Sequence, residues 1–262
     1  MPINLLYHDV TNAGDDDTSG FKGPEAARYK LTEDEFRCHL DRIAAAADAL
    51  PQANPANLTA SARQWTITFD DGGISAATTI ADELERRHWR GWFFIATDFI
   101  GSPGFCSRDQ IRDLHSKGHV IGSHSCSHPE RISGCSRTQL LDEWSRSCDV
   151  LSEIVGAPIT IGSVPGGFYS TDVARAAADA GITLLFNSEP VTSEFEVDGC
   201  RVLGRYNVYR GMTAADATSL LTSPVRRWRQ SAFWSAKKAA KTFAGPLYKA
   251  VRKRLLRQAY VR

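Results

Sequence analysis

Two groups of residues in this 262-residue sequence have the types and spacing for hydrolytic chemistry. The first is Asp70 and Asp71, which close an apolar run and are followed at once by Gly72 and Gly73. Neighbouring strand residues point to opposite faces, but where the chain turns at a strand end both carboxylates can reach one cavity. Two adjacent carboxylates repel and are unfavourable to bury, and a cation relieves both problems. Standing alone, the pair reads equally well as an Asp-Gly turn with solvated side chains. The second group is His124 and His128, at i and i+4 just past another apolar run and followed by Pro129. One turn of helix would set these imidazoles on one face, a common presentation of two metal ligands. His115 and His119 flank the helix stop at Lys117-Gly118 and read as structural. Cys126, between the two candidate ligands, reads as a small buried thiol. A carboxylate with two imidazoles makes the three-ligand set of a catalytic zinc site with an open position for water, and leaves the other carboxylate as general base. Cobalt, nickel or iron can occupy the same ligands.

Thr68-Phe-Asp-Asp-Gly72 followed by His124-Ser-Cys-Ser-His128 resembles the first two motifs of the polysaccharide deacetylase (NodB-homology) family, and Val164-Pro-Gly-Gly-Phe168 is similar to the third. The resemblance covers residues 1–210. It implies a distorted (β/α) barrel with its site at the C-terminal strand ends, and metal-dependent hydrolysis of a sugar N-acetyl group. It further implies Asp70 as base, Asp71, His124 and His128 as metal ligands, and an oxyanion pocket beside Pro165 and Gly166. Three features depart from the family pattern. Ser163 stands where the third motif has an arginine that orients the base; Arg205, on the last strand, is the candidate replacement, against a plain surface arginine. The fourth motif, Asp-x-x-x-Trp, is missing. The fifth, Leu-x-His, is absent from the C-terminal part, yet Leu6-Tyr-His8 has that pattern at the opposite end of the chain. First and last strands are neighbours in a closed barrel, and members resembling the intercellular-adhesin and poly-N-acetylglucosamine deacetylases begin with a Tyr-His-Asp strand. His8 is therefore read as the displaced general acid; the alternative is a structural His8–Asp9 pair.

The elements that must position these groups alternate along the chain. Short apolar runs at residues 3–8, 65–70, 91–96, 119–124, 159–164, 182–187 and 201–209 read as buried strands. Between them, Thr32 with Glu35, Ser107 with Gln110 and Ser136 with Gln139 fit the capping box, and Thr171 and Thr213 fit N-caps. Gly118, Gly156 and Gly181 mark helix ends. This alternation predicts an α/β fold with a mainly parallel sheet: a closed or nearly closed barrel of about seven strands, with an open doubly wound sheet as the second choice. Residues 12–23 and 51–63 read as loops.

Composition narrows the class. With 42% hydrophobic and 23% charged residues, disordered, collagen-like and disulfide-scaffold readings are excluded. The six cysteines form no C-x-x-C pair, and the start of the chain lacks the basic and apolar regions of a secretory signal, so reduced thiols in a cytoplasmic protein are expected. The net charge of +1 hides a division: residues 217–262 carry 12 Lys/Arg and no Asp/Glu, leaving 19 basic and 30 acidic groups before them. The expected organisation is a barrel over residues 1–223 and a basic amphipathic helical tail over 224–262. That tail suits an anionic membrane on the inner face, or packing against the barrel or a second subunit; no motif for reading nucleic acid accompanies it. The leading function is removal of an N-acetyl group from an amino sugar, lipid-linked or otherwise. The alternatives are another metal-dependent amidase, such as a deformylase, and a non-catalytic glycan- or lipid-binding member.

Overall fold

A computed structural model describes residues 2–58 and 64–243. The strands in chain order are β1 (Ile3–Tyr7), β2 (Val10–Thr11), β3 (Leu31–Thr32), β4 (Trp65–Phe69), β5 (Trp92–Ile95), β6 (Val120–Ser123), β7 (Ile161–Ser163), β8 (Leu184–Phe186), β9 (Glu194–Val197), β10 (Cys200–Leu203) and β11 (Tyr206–Asn207). All seven expected runs are strands. The small β2–β3 pair and β9 were not expected; β9 is an antiparallel addition to β10 whose two central residues are exposed.

The main sheet has the order β11-β1-β4-β5-β6-β7-β8-β10-β9, parallel throughout except at β9. β10 and β11 are successive halves of one extended segment broken only at Gly204-Arg205. Its first half pairs with β8 (Leu203 with Phe186) and its second with β1 (Leu6 with Asn207). The chain itself thus joins the two ends of the curl, completing a ring of seven parallel strands.

Alternation along the strands sorts two layers. Trp92, Phe94, Ile161, Leu184, Phe186 and Leu203 form one cluster inside the ring. Their neighbours in sequence, Phe93, Ile95, Leu185 and Val202, belong with Leu5, Ile67 and Phe69 to the larger core beneath the helices. The inner layer also holds polar groups that satisfy one another: Thr66 Oγ1 donates to Asn4 Oδ1 (2.9 Å), and Asn4 Nδ2 donates to the Gly204 carbonyl (2.9 Å). This interior parity matters for the site, because two residues beyond Leu6, Thr68, Gly122, Ile161 and Leu203 stand His8, Asp70, His124, Ser163 and Arg205.

The helices are α1 (Pro24–Ala27), α2 (Glu33–Ala46), α3 (Thr79–Glu85), α4 (Arg108–Ser116), α5 (Arg137–Val155), α6 (Thr171–Asp179), α7 (Ala214–Thr222) and α8 (Pro224–Phe243). Complete capping boxes start α2, α4 and α5 as expected, and Thr213 caps α7. The expectation for Thr171 is corrected. Ser170, whose hydroxyl accepts the Val173 N–H, is the cap, and Thr171 is the first helical residue. Of the tail, α8 is described, with its side chains as far as Ala236; the helix expected from Pro246 onward lies outside the described residues. Among the described residues, no helix is long and apolar enough to cross a membrane.

Candidate metal centre

Asp70 continues β4 and reaches the barrel mouth by parity alone. Asp71 should then point outward, but its φ of 79° turns the chain and brings its carboxylate back to the same side. Gly73 follows because nothing larger fits: a Cβ there would lie 2.0 Å from the Asp9 carboxylate. Asp71 Oδ1 is 3.4 Å from His124 Nε2 and 3.5 Å from His128 Nε2. One donor atom from each of these three residues falls within 4.8 Å of the other two. His124 Nδ1 is 2.9 Å from the Ser163 carbonyl oxygen, which fixes the ring with Nδ1–H as donor and turns Nε2 towards Asp71 and the candidate cation position.

The segment joining the two histidines is not the helical turn read from the sequence. Ser125 and His128 both lie in the left-handed region (φ 63° and 50°), and the chain between the imidazoles kinks rather than coils. Cys126 is buried as expected, and burial pushes its thiol up to about 11.

Asp70 is held differently. Arg205 is wholly buried, not at the surface, and grips Asp70 with two parallel bonds: Nη1 to Oδ1 at 2.7 Å and Nη2 to Oδ2 at 2.8 Å. Its other donors go to the Ser163 hydroxyl (2.7 Å), the Asn187 carbonyl (3.0 Å) and Thr68 Oγ1 (3.2 Å). The rings of Phe94 and Phe186 lie 5.6 and 5.8 Å from its guanidinium carbon. Ser163 also donates to Asp70 Oδ2 (3.1 Å). Burial pushes the Asp70 carboxyl upward, but the Arg205 charge outweighs it and holds the group below the usual carboxylate range. Asp71 is likewise lowered against burial, by the hydrogen bond to His124 and the nearby His8 and His128 charges. His124 is raised: burial opposes its charged form, and the Asp70 charge prevails. His128 is lowered, chiefly by burial.

His8 ends β1 at the same mouth, with its ring centroid 4.8 Å from that of Tyr29. Its Nδ1 is buried with no hydrogen-bond partner among the described residues. It does not pair with Asp9, whose Oδ1 instead accepts from Ser19 (2.6 Å) and Ser75 (2.8 Å). That anchor, with Lys30 Nζ donating to the Asp16, Ser19 and Phe21 carbonyls, fixes the loop that lays Phe21 against His128 (4.6 Å between centroids). Pro165 is buried after β7, and Gly166 (φ 60°) stands exposed at the rim. Sequence reasoning missed Phe21, Asn187 and the bond from Ser163 to Asp70. In the sequence Ser163 stands out only as the slot of a missing arginine, and that position is the signal.

Fold and site together define a (β/α)-barrel protein with a His2Asp donor set beside an arginine-held carboxylate. Residues 57–185, just under half of the chain, match the family model described as polysaccharide deacetylase. The chain is 29% identical over 115 residues to the chitin deacetylase of Arthroderma benhamiae, covering 43% of this chain and 30% of that protein. It is 34% identical over 70 residues to the peptidoglycan-N-acetylglucosamine deacetylase PgdA of Listeria monocytogenes, covering 26% and 14%. The chain thus spans less than a third of the length of either relative. Among solved structures, the Streptococcus pyogenes deacetylase PplD in complex with acetate superposes with a TM-score of 0.70 at 17% identity, over 84% of this chain and 97% of that one, a likeness of fold.

Proposed function

We propose that this chain is a metal-dependent carbohydrate N-deacetylase. The observation that carries the reading is the convergence of Asp71, His124 and His128 beside an Asp70 clamped by Arg205. The donor set suits a divalent ion, zinc first and cobalt, nickel or iron as alternatives. Such an ion, when bound, supplies Lewis-acid polarisation and a source of hydroxide at neutral pH. Asp71, His124 and His128 would hold it, the last two as neutral imidazoles through Nε2. Asp70, kept ionised by Arg205, takes the proton of the water that attacks the amide carbon. A carboxylate offers about four acceptor positions; two guanidinium bonds and Ser163 occupy three of them, so about one remains for that proton. His8, which follows β1, the strand paired with β4 beside Asp70, protonates the leaving amine as the C–N bond breaks, and acetate and the free amino sugar result. The backbone at Pro165-Gly166 borders the oxyanion.

The test is acetate and amine release from N-acetylglucosamine oligomers by the metal-loaded chain. Asp70→Asn should keep the metal and lose about 10²–10⁴-fold in rate, and His8→Ala should keep the metal and slow turnover. His124→Ala/His128→Ala should lose the metal itself. Near-stoichiometric metal in that double variant, or a wild-type rate in Asp70→Asn, would overturn the assignment. Formate release from N-formyl sugars without acetate release would favour the amidase alternative.

We further infer a barrel over residues 1–223 and a tail over 224–262 that meets an anionic membrane from the cytoplasmic side, with a lipid-linked N-acetylated glycan as substrate. The outward stripe of α8 supports this: Val225, Trp228 and Phe233 are 60%, 68% and 67% exposed, with Arg229 among them. The inward face is polar, Arg227 donating to the Leu220 and Leu221 carbonyls and Gln230 to that of Asn207. An apolar, aromatic face turned to solvent beside basic residues is the arrangement of an interfacial helix.

A further inference from the structure

The turn from His124 to His128 sets the separation of two candidate ligands, yet its own backbone is unfavourable. Ser125 and His128 are both left-handed, a conformation non-glycine residues avoid and keep only when surrounding groups over-determine it. Two of those groups are local: Ser123 Oγ accepts the Ser125 N–H (3.1 Å), and Ser125 Oγ accepts the His128 N–H (3.2 Å). The third comes from another element. Glu143, on α5, accepts the backbone N–H groups of Cys126 (2.8 Å) and Ser127 (2.9 Å) with Oε2, and the Ser127 hydroxyl with Oε1. One carboxylate therefore satisfies three donors at the midpoint between the two imidazoles.

Glu143 is well placed to act as a fixed post. Leu140 and Trp144, on either side of it along α5, are 2% and 0% exposed, and the helix begins in a complete capping box. Glu143 itself lies outside the three-donor cluster, so it acts on the ligands through the turn.

We propose that Glu143 is a positioning residue that sets the spacing of His124 and His128 for a divalent cation. The proposal rests on the metal reading above. What it requires of Glu143 is a pair of acceptor atoms at a fixed reach. Glutamine can supply the same geometry, its amide oxygen accepting both backbone N–H groups and its amide nitrogen donating to Ser127 Oγ. Alanine leaves all three donors without their partner, and aspartate, one methylene shorter, cannot span them from the same backbone. Partners that orient a metal's ligands typically contribute 10–100-fold to its affinity.

The experiment measures zinc dissociation constants of the full chain by chelator competition, with the visible spectrum of the cobalt-loaded form as a report on ligand geometry. Thermal unfolding of the metal-free variants checks folding. Glu143→Ala should weaken zinc 10–100-fold and alter the cobalt spectrum, while Glu143→Gln stays within a few-fold of wild type with an unaltered spectrum. Should the alanine variant not fold, Glu143→Asp carries the test and should also bind zinc more weakly. Wild-type affinity in the alanine or aspartate variant overturns the role of Glu143 alone. Glutamine as weak as alanine overturns it too, since charge rather than placement would then be responsible. A wild-type chain that binds no zinc, matching His124→Ala/His128→Ala, overturns the metal reading and this proposal with it.

Discussion

Replacing Arg205 by methionine removes one partner of a pair that is almost entirely out of water: the guanidinium is wholly buried and the Asp70 side chain is 3% exposed. Breaking such a pair from one side typically costs about 3–5 kcal/mol, because the charge left behind has neither solvent nor partner. Here the Ser163 hydroxyl, the Asn187 carbonyl and Thr68 Oγ1 lose a donor as well, which points to the upper part of that range. For a chain of this size the midpoint of thermal unfolding should fall by on the order of 10 °C. The assay is denaturant and thermal unfolding of metal-free protein, so that ligand linkage does not enter. The pH dependence has a definite sign. Without Arg205 the burial of Asp70 remains while the charge that offsets it is gone, so its folded-state pKa rises. A raised folded value brings stability at low pH that is lost as pH rises, so the variant should differ from wild type more at pH 8 than at pH 5. Adding Asp70→Asn to Arg205→Met removes the stranded charge, and the double variant should be more stable than Arg205→Met alone. A loss below about 1 kcal/mol, the range of exposed pairs, or a double variant no more stable than the single one, would refute the reasoning.

Two other outcomes follow from groups away from that pair. His119 is held down at about 4, by burial first and the Arg90 charge next, against 6.5 when unfolded. The folded state then binds fewer protons between those values, so stability is full above pH 6.5 and falls towards pH 4 by about 1.4 kcal/mol per unit. His119→Asn, which keeps an acceptor for the Gly91 N–H (3.0 Å) but does not titrate, should flatten that decline in urea unfolding, and parallel curves would refute it. For α8, the full-length chain should sediment with anionic vesicles at low salt and release as salt rises, since exposed charges are screened beyond about 8–10 Å. Trp228→Ser/Phe233→Ser should weaken that binding, and a chain that ignores anionic vesicles would leave α8 as a packing or subunit element.

What could be read from the sequence divides along a physical line. His8, Asp70 and His124 were legible because each continues the inward parity of an apolar strand, and strand parity survives into the fold. The three capping boxes were legible because their partners lie three residues apart. Asp71 and His128 were identified by residue type, but the means of their convergence was not. Both depend on positive φ at a non-glycine residue, which no local preference announces. The helical turn expected at His124–His128 fails for the same reason. Its backbone N–H groups are taken by Glu143, fifteen residues beyond His128, and a side chain that far along the chain leaves no mark on local periodicity. Thr171 failed more simply, because two adjacent hydroxyl residues can each cap a helix and only the backbone decides between them.

Arg205 and His8, the two residues out of place against the family pattern, are neighbours in the ring. Arg205 sits at the break between β10 and β11, where the closing segment leaves β8 and takes up β1, the strand that ends in His8. A closed barrel gives each layer of its interior to whichever strand points a side chain there, so a cation facing Asp70 can arrive from the closing segment as well as from β7. Ser163, on β7, is small enough to leave room for the guanidinium and still reaches both partners, Asp70 at 3.1 Å and Arg205 at 2.7 Å. Ser163 and Arg205 therefore fit together: a long side chain at 163 would compete for the space the Arg205 fork fills. Asp70 and Arg205 are 135 residues apart in the chain, and only closure of the ring brings them together. The cation that faces Asp70 is therefore legible from the composition of the barrel's interior at its seam, not from the residues around β7.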